Sequence, residues 1–464
     1  PDSLHAVSLA LPRWADVVAY EEKEPHILDR LVSGYPRFVV HPLVQQLAQR
    51  LGGAKPCLPF PSRRVAELAA QLLGPPARVV EKDGVWGVIT SAVGAGDLKL
   101  FWQHTGLIIS TRQADAILTG RVVHDDPAIR DSLRRQLAAL YDCAPGDVFL
   151  QPTGMAALFA AWRAARTRAP DQPTAQLGFP YVDTLKIQQK YGVGAQLLPN
   201  LGTIADDLRA WLSRQPLAAC FAEIPGNPLL GSADLRRITP LLREHRVPLI
   251  ADDVVATPIN VDLRGHAALI ATSLTKYMAG TGDVMGGALI CNPHSPLYAE
   301  LRPILQAQHE ERLWIEDAAI LETQLRSFPE RMRRHNATGL WIAEKLRAHP
   351  AIEKVWYPKW EFAEAYEAVR RPDGGWGSLV TFLPKNAAVE SPRIYDRMEV
   401  CKGPSLGTTF TLACPFTLLA HYAELDWAES CGVSRHLIRL SVGLEDRDDL
   451  WRRLHLDDRP GGMA

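Results

Sequence analysis

The chain has few cysteines, seven in 464 residues (57, 143, 220, 291, 401, 414 and 431), and no two form a Cys-x-x-Cys pair. An odd count cannot all pair within one chain, which argues against a disulfide-built secreted scaffold; the thiols read as mostly buried filler in a reducing, cytoplasmic compartment. No metal is expected. No uninterrupted apolar run reaches the roughly 18 residues that a bilayer span takes, and Pro1–Arg13 lacks the basic-then-apolar layout of a secretory signal. Charge excess is missing too: 51 basic against 52 acidic side chains leave a net charge of −1, so nothing favours nucleic acid or an anionic membrane surface. Repeats and low-complexity tracts are absent. What is present is a 47% hydrophobic chain, long enough to bury a large core in two or three domains.

The stretch to about Gly120 is rich in Pro and aromatic residues and reads as irregular. The middle alternates short apolar runs with amphipathic helical stretches: Asp147–Leu150, Gln176–Phe179, Ala195–Pro199, Ala218–Ala222, Val247–Ala251, Ala268–Ala271 and Gly287–Cys291. Near-continuous apolar runs between helices predict an α/β fold, with a mostly parallel sheet covered on both faces. In such sheets ligands sit at the carboxyl ends of the strands. A charged helix through Arg331 to His349 leads into a smaller α+β C-terminal domain. The expected division is 1–125, an N-terminal arm reaching a neighbouring subunit; 126–325, the large domain; and 326–464, the small one.

Residues able to carry chemistry follow those runs. Thr153-Gly154-Met155 opens an Ala-rich helix, where amide N–H groups and the helix dipole favour a phosphate. Ser273-Leu-Thr275-Lys276 places two hydroxyls beside a lysine, and Gly280, Gly282, Gly286 and Gly287 permit an irregular path. This is the arrangement needed for an imine between Lys276 and a phosphorylated aldehyde. Asp252 ends a buried run, where a carboxylate needs a partner; a protonated pyridine nitrogen would serve. Asp253 reads as the turn residue. Tyr181 can stack on a planar ring, Asn227 can donate to a phenolic oxygen, and Arg439, in an apolar stretch, wants a carboxylate from protein or substrate. Singly, each has a blander reading as turn, cap, packing or solvated residue. Together they place the parts of one cofactor site at consecutive strand ends.

These motifs resemble the Cys/Met-metabolism family of fold-type I enzymes dependent on pyridoxal 5'-phosphate. The resemblance runs through Thr153-Gly-Met-Ala-Ala157, Tyr181-Val-Asp-Thr184, Glu223–Leu230, Ala251–Pro258, Ser273–Tyr277, Ser405-Leu-Gly407 and Arg439–Gly443. Ser33–His41, Phe101–Gly106, Gly178–Lys186, Lys402–Thr408 and Ala420–Trp427 are similar to the fungal-type cystathionine γ-synthase branch. The resemblance implies pyridoxal phosphate bound by Thr153, Gly154, Met155, Tyr181, Asn227, Asp252, Ser273, Thr275 and Lys276. It also implies Ser110 and Arg112 from a neighbouring subunit in a dimer or tetramer with shared active sites. Lys276, Tyr181 and Asp252 are the implied catalytic residues, and Ser405 and Arg439 the implied holders of an amino-acid carboxylate.

The implied reaction is γ-replacement on an activated homoserine ester by a thiol, cysteine giving cystathionine. γ-Elimination, a sulfide or carbon nucleophile, and a non-catalytic PLP-binding regulator are the alternatives. Two departures matter. Ser110-Thr-Arg112 keeps the arginine of a family Tyr-x-Arg element without its tyrosine, and Phe410 stands where many relatives are acidic.

Overall fold

The computed structural model describes residues 3–31 and 33–457; positions 1–2, 32 and 458–464, which the expected spans include, lie outside. Within the described residues the first sheet is antiparallel: β1 (Cys57–Phe60), β2 (Arg78–Lys82) and β3 (Val85–Ile89), in the order β1-β3-β2. The second holds β4 (Val148–Gln151), β5 (Thr174–Leu177), β6 (Ala195–Leu198), β7 (Ala219–Glu223), β8 (Leu249–Asp252), β9 (Leu269–Ser273) and β10 (Gly287–Cys291). Its order is β4-β10-β9-β8-β7-β5-β6, and only β10 runs against its neighbours. The third comprises β11 (Ile352–Trp356), β12 (Leu379–Pro384), β13 (Cys401–Lys402), β14 (Leu412–Cys414) and β15 (Ile438–Ser441), in the order β11-β12-β15-β14-β13.

All seven expected apolar runs form the second sheet, because both of its faces are covered. On β7, Cys220 and Ala222 enter one core with Leu133 and Leu137 of the helix Pro127–Tyr141. Ala219 and Phe221 enter the other, with the helix Gly154–Arg168. Successive side chains leave a strand on opposite faces, so a doubly covered strand carries no polar alternation.

The described residues up to Gly120 are not irregular. Besides the first sheet they form helices at Trp14–Glu21, Pro42–Gly52, Arg63–Leu73, Ala95–Thr105 and Thr111–Thr119. Their starts obey ordinary rules: Pro42 at the first helical position behind a His41 cap, and Ser62 accepting from Val65 N–H. The segment packs in two directions. Leu9, Leu11, Val17, Tyr20 and Ile27 join the core of the third sheet, whereas Tyr35 through Ala114 contribute to the core beneath the helix Gly154–Arg168. Tyr35 and Arg37 are thereby drawn to the centre of the molecule. Among the described residues no helix is long and apolar enough to cross a membrane.

Candidate active site

β5, β7, β8 and β9 run parallel, with Glu223 opposite Asp252 and Asp252 opposite Ala271, so their carboxyl ends open on one edge. Tyr181, Asn227, Asp252, Ser273 and Lys276 line a cleft there, with Gly154 and Met155 from the helix after β4, Arg439 from β15, and Tyr35, Arg37 and Phe38 from the N-terminal segment.

Lys276 is half-buried in the turn after β9. Its Nζ donates to Ser405 Oγ at 3.0 Å and lies 4.5 Å from the centroid of the Tyr35 ring. Burial, aided by Arg439 and Arg37 and opposed by Tyr35, holds its pKa below the ordinary lysine value. A lysine so placed has ready access to its neutral, nucleophilic amine. Ser405 reaches it because Gly407, at φ 75°, packs on the lysine turn; a Cβ there would meet Tyr277 N at 2.5 Å.

Asp252 ends β8, and among the described residues its carboxylate accepts one hydrogen bond, from Val254 N–H at 2.9 Å. Burial pushes its carboxyl up to about 6. Asp253 opens the turn after β8, its carbonyl accepting from Thr257 N–H at 2.6 Å, while its side chain turns inward. It is buried, Tyr141 Oη donates to its carboxylate at 2.9 and 3.2 Å, and burial lifts it to about 7. Successive side chains diverge where the strand ends, so Asp252 lines the cleft while Asp253 enters the core behind it.

Arg439 is only 2% exposed. It donates to Asn227 Oδ1 (3.1 Å), Pro404 O (2.7 Å) and Ser405 O (2.9 Å), and its Nε meets no acceptor. None of these partners is charged, and among the described residues no carboxylate lies within ion-pair distance. A buried guanidinium without an anion is poised to receive one. Because Asn227 accepts through Oδ1, its amide nitrogen remains a donor.

At the phosphate end, Gly154 is required: a Cβ there would stand 2.7 Å from Ser273 Cβ. The first N–H groups of the 15-residue helix Gly154–Arg168 and the half-buried Ser273 are available to an anion. Thr153 and Thr275 are committed elsewhere. Thr153 Oγ1 caps that helix through Ala156 N–H and donates to Gly106 O, and Thr275 Oγ1 exchanges hydrogen bonds with Gly286. Ser110 and Arg112 line a separate pocket with Asp283 and Asp317. Ser110 caps the helix Thr111–Thr119 and bonds Asp317, while Arg112 pairs with Asp317 at 2.8 Å and donates to Asp283 O at 2.7 Å. Phe410 does not line the cleft; its carbonyl accepts from Thr408 Oγ1.

Three further groups emerge only in three dimensions. Arg37, 2% exposed, bonds the Tyr181 hydroxyl and pairs with the fully buried Asp183, which His104 also contacts. Tyr35 lies between Arg37 and Lys276. Glu223 receives Tyr181 N–H and Asn227 N–H, and burial next to Asp252 raises it to about 8. Tyr35 and Arg37 lie within the quoted Ser33–His41 segment, but nothing local to it signals a cleft residue.

Pyridoxal 5'-phosphate fits this donor set: a lysine amine of lowered basicity, a half-buried carboxylate with an oxygen to spare, a phenol ring, a free amide donor and a helix N-terminus. The comparisons agree. The model of the Cys/Met metabolism PLP-dependent enzyme family matches residues 126–456. A cystathionine γ-synthase of Neurospora crassa is 30% identical over 97% of this chain and 95% of its own. An L-2-amino-4-chloropent-4-enoate dechlorinase/desaturase of Streptantibioticus cattleyicolor is 33% identical over 96% and 94%. The solved cystathionine γ-synthase of Xanthomonas oryzae pv. oryzae, in complex with aminoacrylate and cysteine, is 26% identical with a TM-score of 0.60, covering 71% of this chain and 85% of that one. The chain belongs to the Cys/Met metabolism family of pyridoxal-phosphate-dependent enzymes.

Proposed function

We propose that the protein catalyses γ-replacement on an activated homoserine ester, O-acetyl or O-succinyl, by a thiol: the Cγ–O bond breaks, a Cγ–S bond forms and a carboxylic acid leaves. With cysteine the product is cystathionine. The carrying observation is Arg439, buried without a carboxylate partner and tied through Ser405 to Lys276. This pairing suits an α-amino acid, with its carboxylate on Arg439 and its amino end toward Lys276.

Pyridoxal phosphate, when bound, supplies a carbonyl for covalent attachment and a ring that withdraws electrons from Cα. Lys276 holds it, and when released takes the proton from Cα as general base. Asp252 supplies negative charge at the end of β8, Asn227 a neutral donor, Tyr181 a flat wall, and the helix Gly154–Arg168 with Ser273 an anion seat. Glu223 holds the Tyr181 and Asn227 backbones in register. Ser110 and Arg112 serve a neighbouring subunit's site in this reading.

γ-Elimination is the second reading. The dechlorinase/desaturase relative favours it. Incubation with O-acetyl- or O-succinylhomoserine, with and without cysteine, separates the two. Cystathionine formed only with cysteine supports replacement; 2-oxobutyrate released equally with or without thiol overturns it.

A further inference from the structure

A second cavity, of about 490 Å³, adjoins the cleft where the carboxyl ends of β5 and β7 meet β11. Glu223 and Asn227 line both spaces. The loop 225–231 is the partition: on the cleft side Asn227 accepts from Arg439 at 3.1 Å, and on the other Leu229 and Gly231 line the cavity. Phe179, Leu201, Trp356 and Phe362 wall it, and its charged side chains besides Glu223 are Lys354 and Glu361. We propose that this cavity is a binding site for an apolar α-amino acid, its carboxylate on Lys354, its ammonium group on Glu361 and its side chain against the apolar walls. The site is separate from the reacting centre, and no step of γ-replacement uses it.

Lys354 is exposed and Glu361 half-buried. The Lys354 ammonium lies 4.7 Å from the centroid of the Trp356 ring. Burial raises the Glu361 carboxyl, and Lys354 and Arg347 draw it back, yet among the described residues neither an ion pair nor a hydrogen bond joins Lys354 to Glu361. A cation and a carboxylate that face one space unpaired match a zwitterion, whose opposite charges share one carbon. A simple amine would meet Lys354, and a simple acid Glu361, with like charges facing. Glu223, raised to about 8 by burial and by Asp252, is protonated at neutral pH and sets no charge against an apolar side chain. Phe362 shapes the wall. It holds φ 50°, uncommon for a bulky residue, and its ring packs on Gly231, where a Cβ would meet it at 2.8 Å. Such backbone persists where its surroundings enforce it, and it clusters at ligand sites. The volume lies within the ~300–1,000 Å³ of small-molecule sites. Thr381 Oγ1 of β12 donates to Pro228 O at 2.7 Å, which ties the partition to the third sheet; an occupant pressing on that loop bears on Asn227.

The test is calorimetric titration of the holoenzyme with L-leucine, which carries no leaving group at Cγ, in the wild type, Lys354→Met and Arg439→Lys. Expected is one equivalent of L-leucine that binds about 10-fold more weakly in Lys354→Met, the low end for a charge-assisted hydrogen bond because Lys354 is exposed. That equivalent should bind Arg439→Lys as tightly as the wild type. 3-Methylbutylamine, which is leucine without its carboxylate, should bind the wild type about 10-fold more weakly than L-leucine and should not distinguish it from Lys354→Met. Absence of any equivalent whose affinity depends on Lys354 overturns the proposal, as does an amine that binds as tightly as the amino acid. Loss of the same equivalent in Arg439→Lys also overturns it, because L-leucine then sits in the cleft. Heat is read without turnover, so this result and the cystathionine assay fail or hold separately.

Discussion

Replacing Arg439 with lysine keeps the positive charge and removes the planar fork. An arginine carries five N–H donors, and three are taken by Asn227, Pro404 and Ser405, so two remain, one of them on Nε. The free donors, on Nε and Nη1, lie on different edges of the guanidinium, and a parallel pair for the two oxygens of a substrate carboxylate forms when an Nη2 bond to Pro404 or Ser405 gives way. A lysine in the same place meets one oxygen at best. Losing one charge-assisted hydrogen bond costs about 1.5–3 kcal/mol, or about 10- to 100-fold in affinity. Arg439→Lys should therefore raise KM for the homoserine ester by that factor while leaving cofactor absorbance intact. The decisive assay pairs each enzyme with the ester and with its decarboxylated amine. Wild type should prefer the acid strongly, and the variant should lose about 10- to 100-fold of that preference. An unchanged KM, or an undiminished preference for the acid, refutes the carboxylate assignment.

Asp183→Asn should leave Arg37 buried without its anion and lower the unfolding free energy by about 3–5 kcal/mol; a denaturant titration showing a drop below about 1 kcal/mol would place this pair with weak surface bridges. Burial raises Asp252, Asp253 and Glu223 to about 6, 7 and 8, from 3.8, 3.8 and 4.5. The folded state thus binds these protons more tightly than the unfolded one, and the stability they contribute, complete below about pH 4, is lost as pH rises toward 8. Between pH 7 and pH 8, above the range in which His309, His335 and His421, held low by burial, titrate, cofactor-free protein should accordingly lose resistance to denaturant, and Glu223→Gln should flatten that slope; stability rising over that interval contradicts the burial argument.

The large sheet was legible because doubly covered strands are written as unbroken apolar runs, and Gly287–Cys291 matched to the residue. Strand-end logic then located Asp252, Asn227 and Lys276 at one cleft. Residues up to Gly120 were not legible: caps such as Ser62 and His41 were present, but short Pro- and aromatic-rich spacings hid the helices between them. Tyr35 and Arg37 escaped detection because their partners are remote in sequence, Arg37 meeting Asp183 across 146 positions. Thr153 and Thr275 show the converse limit. A motif gives the identity of a hydroxyl, while the backbone groups around it decide where it points. Asp253 opens the turn after β8 as read, but the burial of its side chain was not legible, because Tyr141, which satisfies it in the core, comes from a distant helix.

The most direct measurement is borohydride reduction of the purified holoenzyme followed by peptide mass mapping. A pyridoxyl phosphate adduct on Lys276, and none on that peptide in a Lys276→Ala variant that also loses turnover, is the expected result. An adduct on another residue, or a Lys276→Ala protein that keeps its yellow colour through reduction and still turns over, contradicts it.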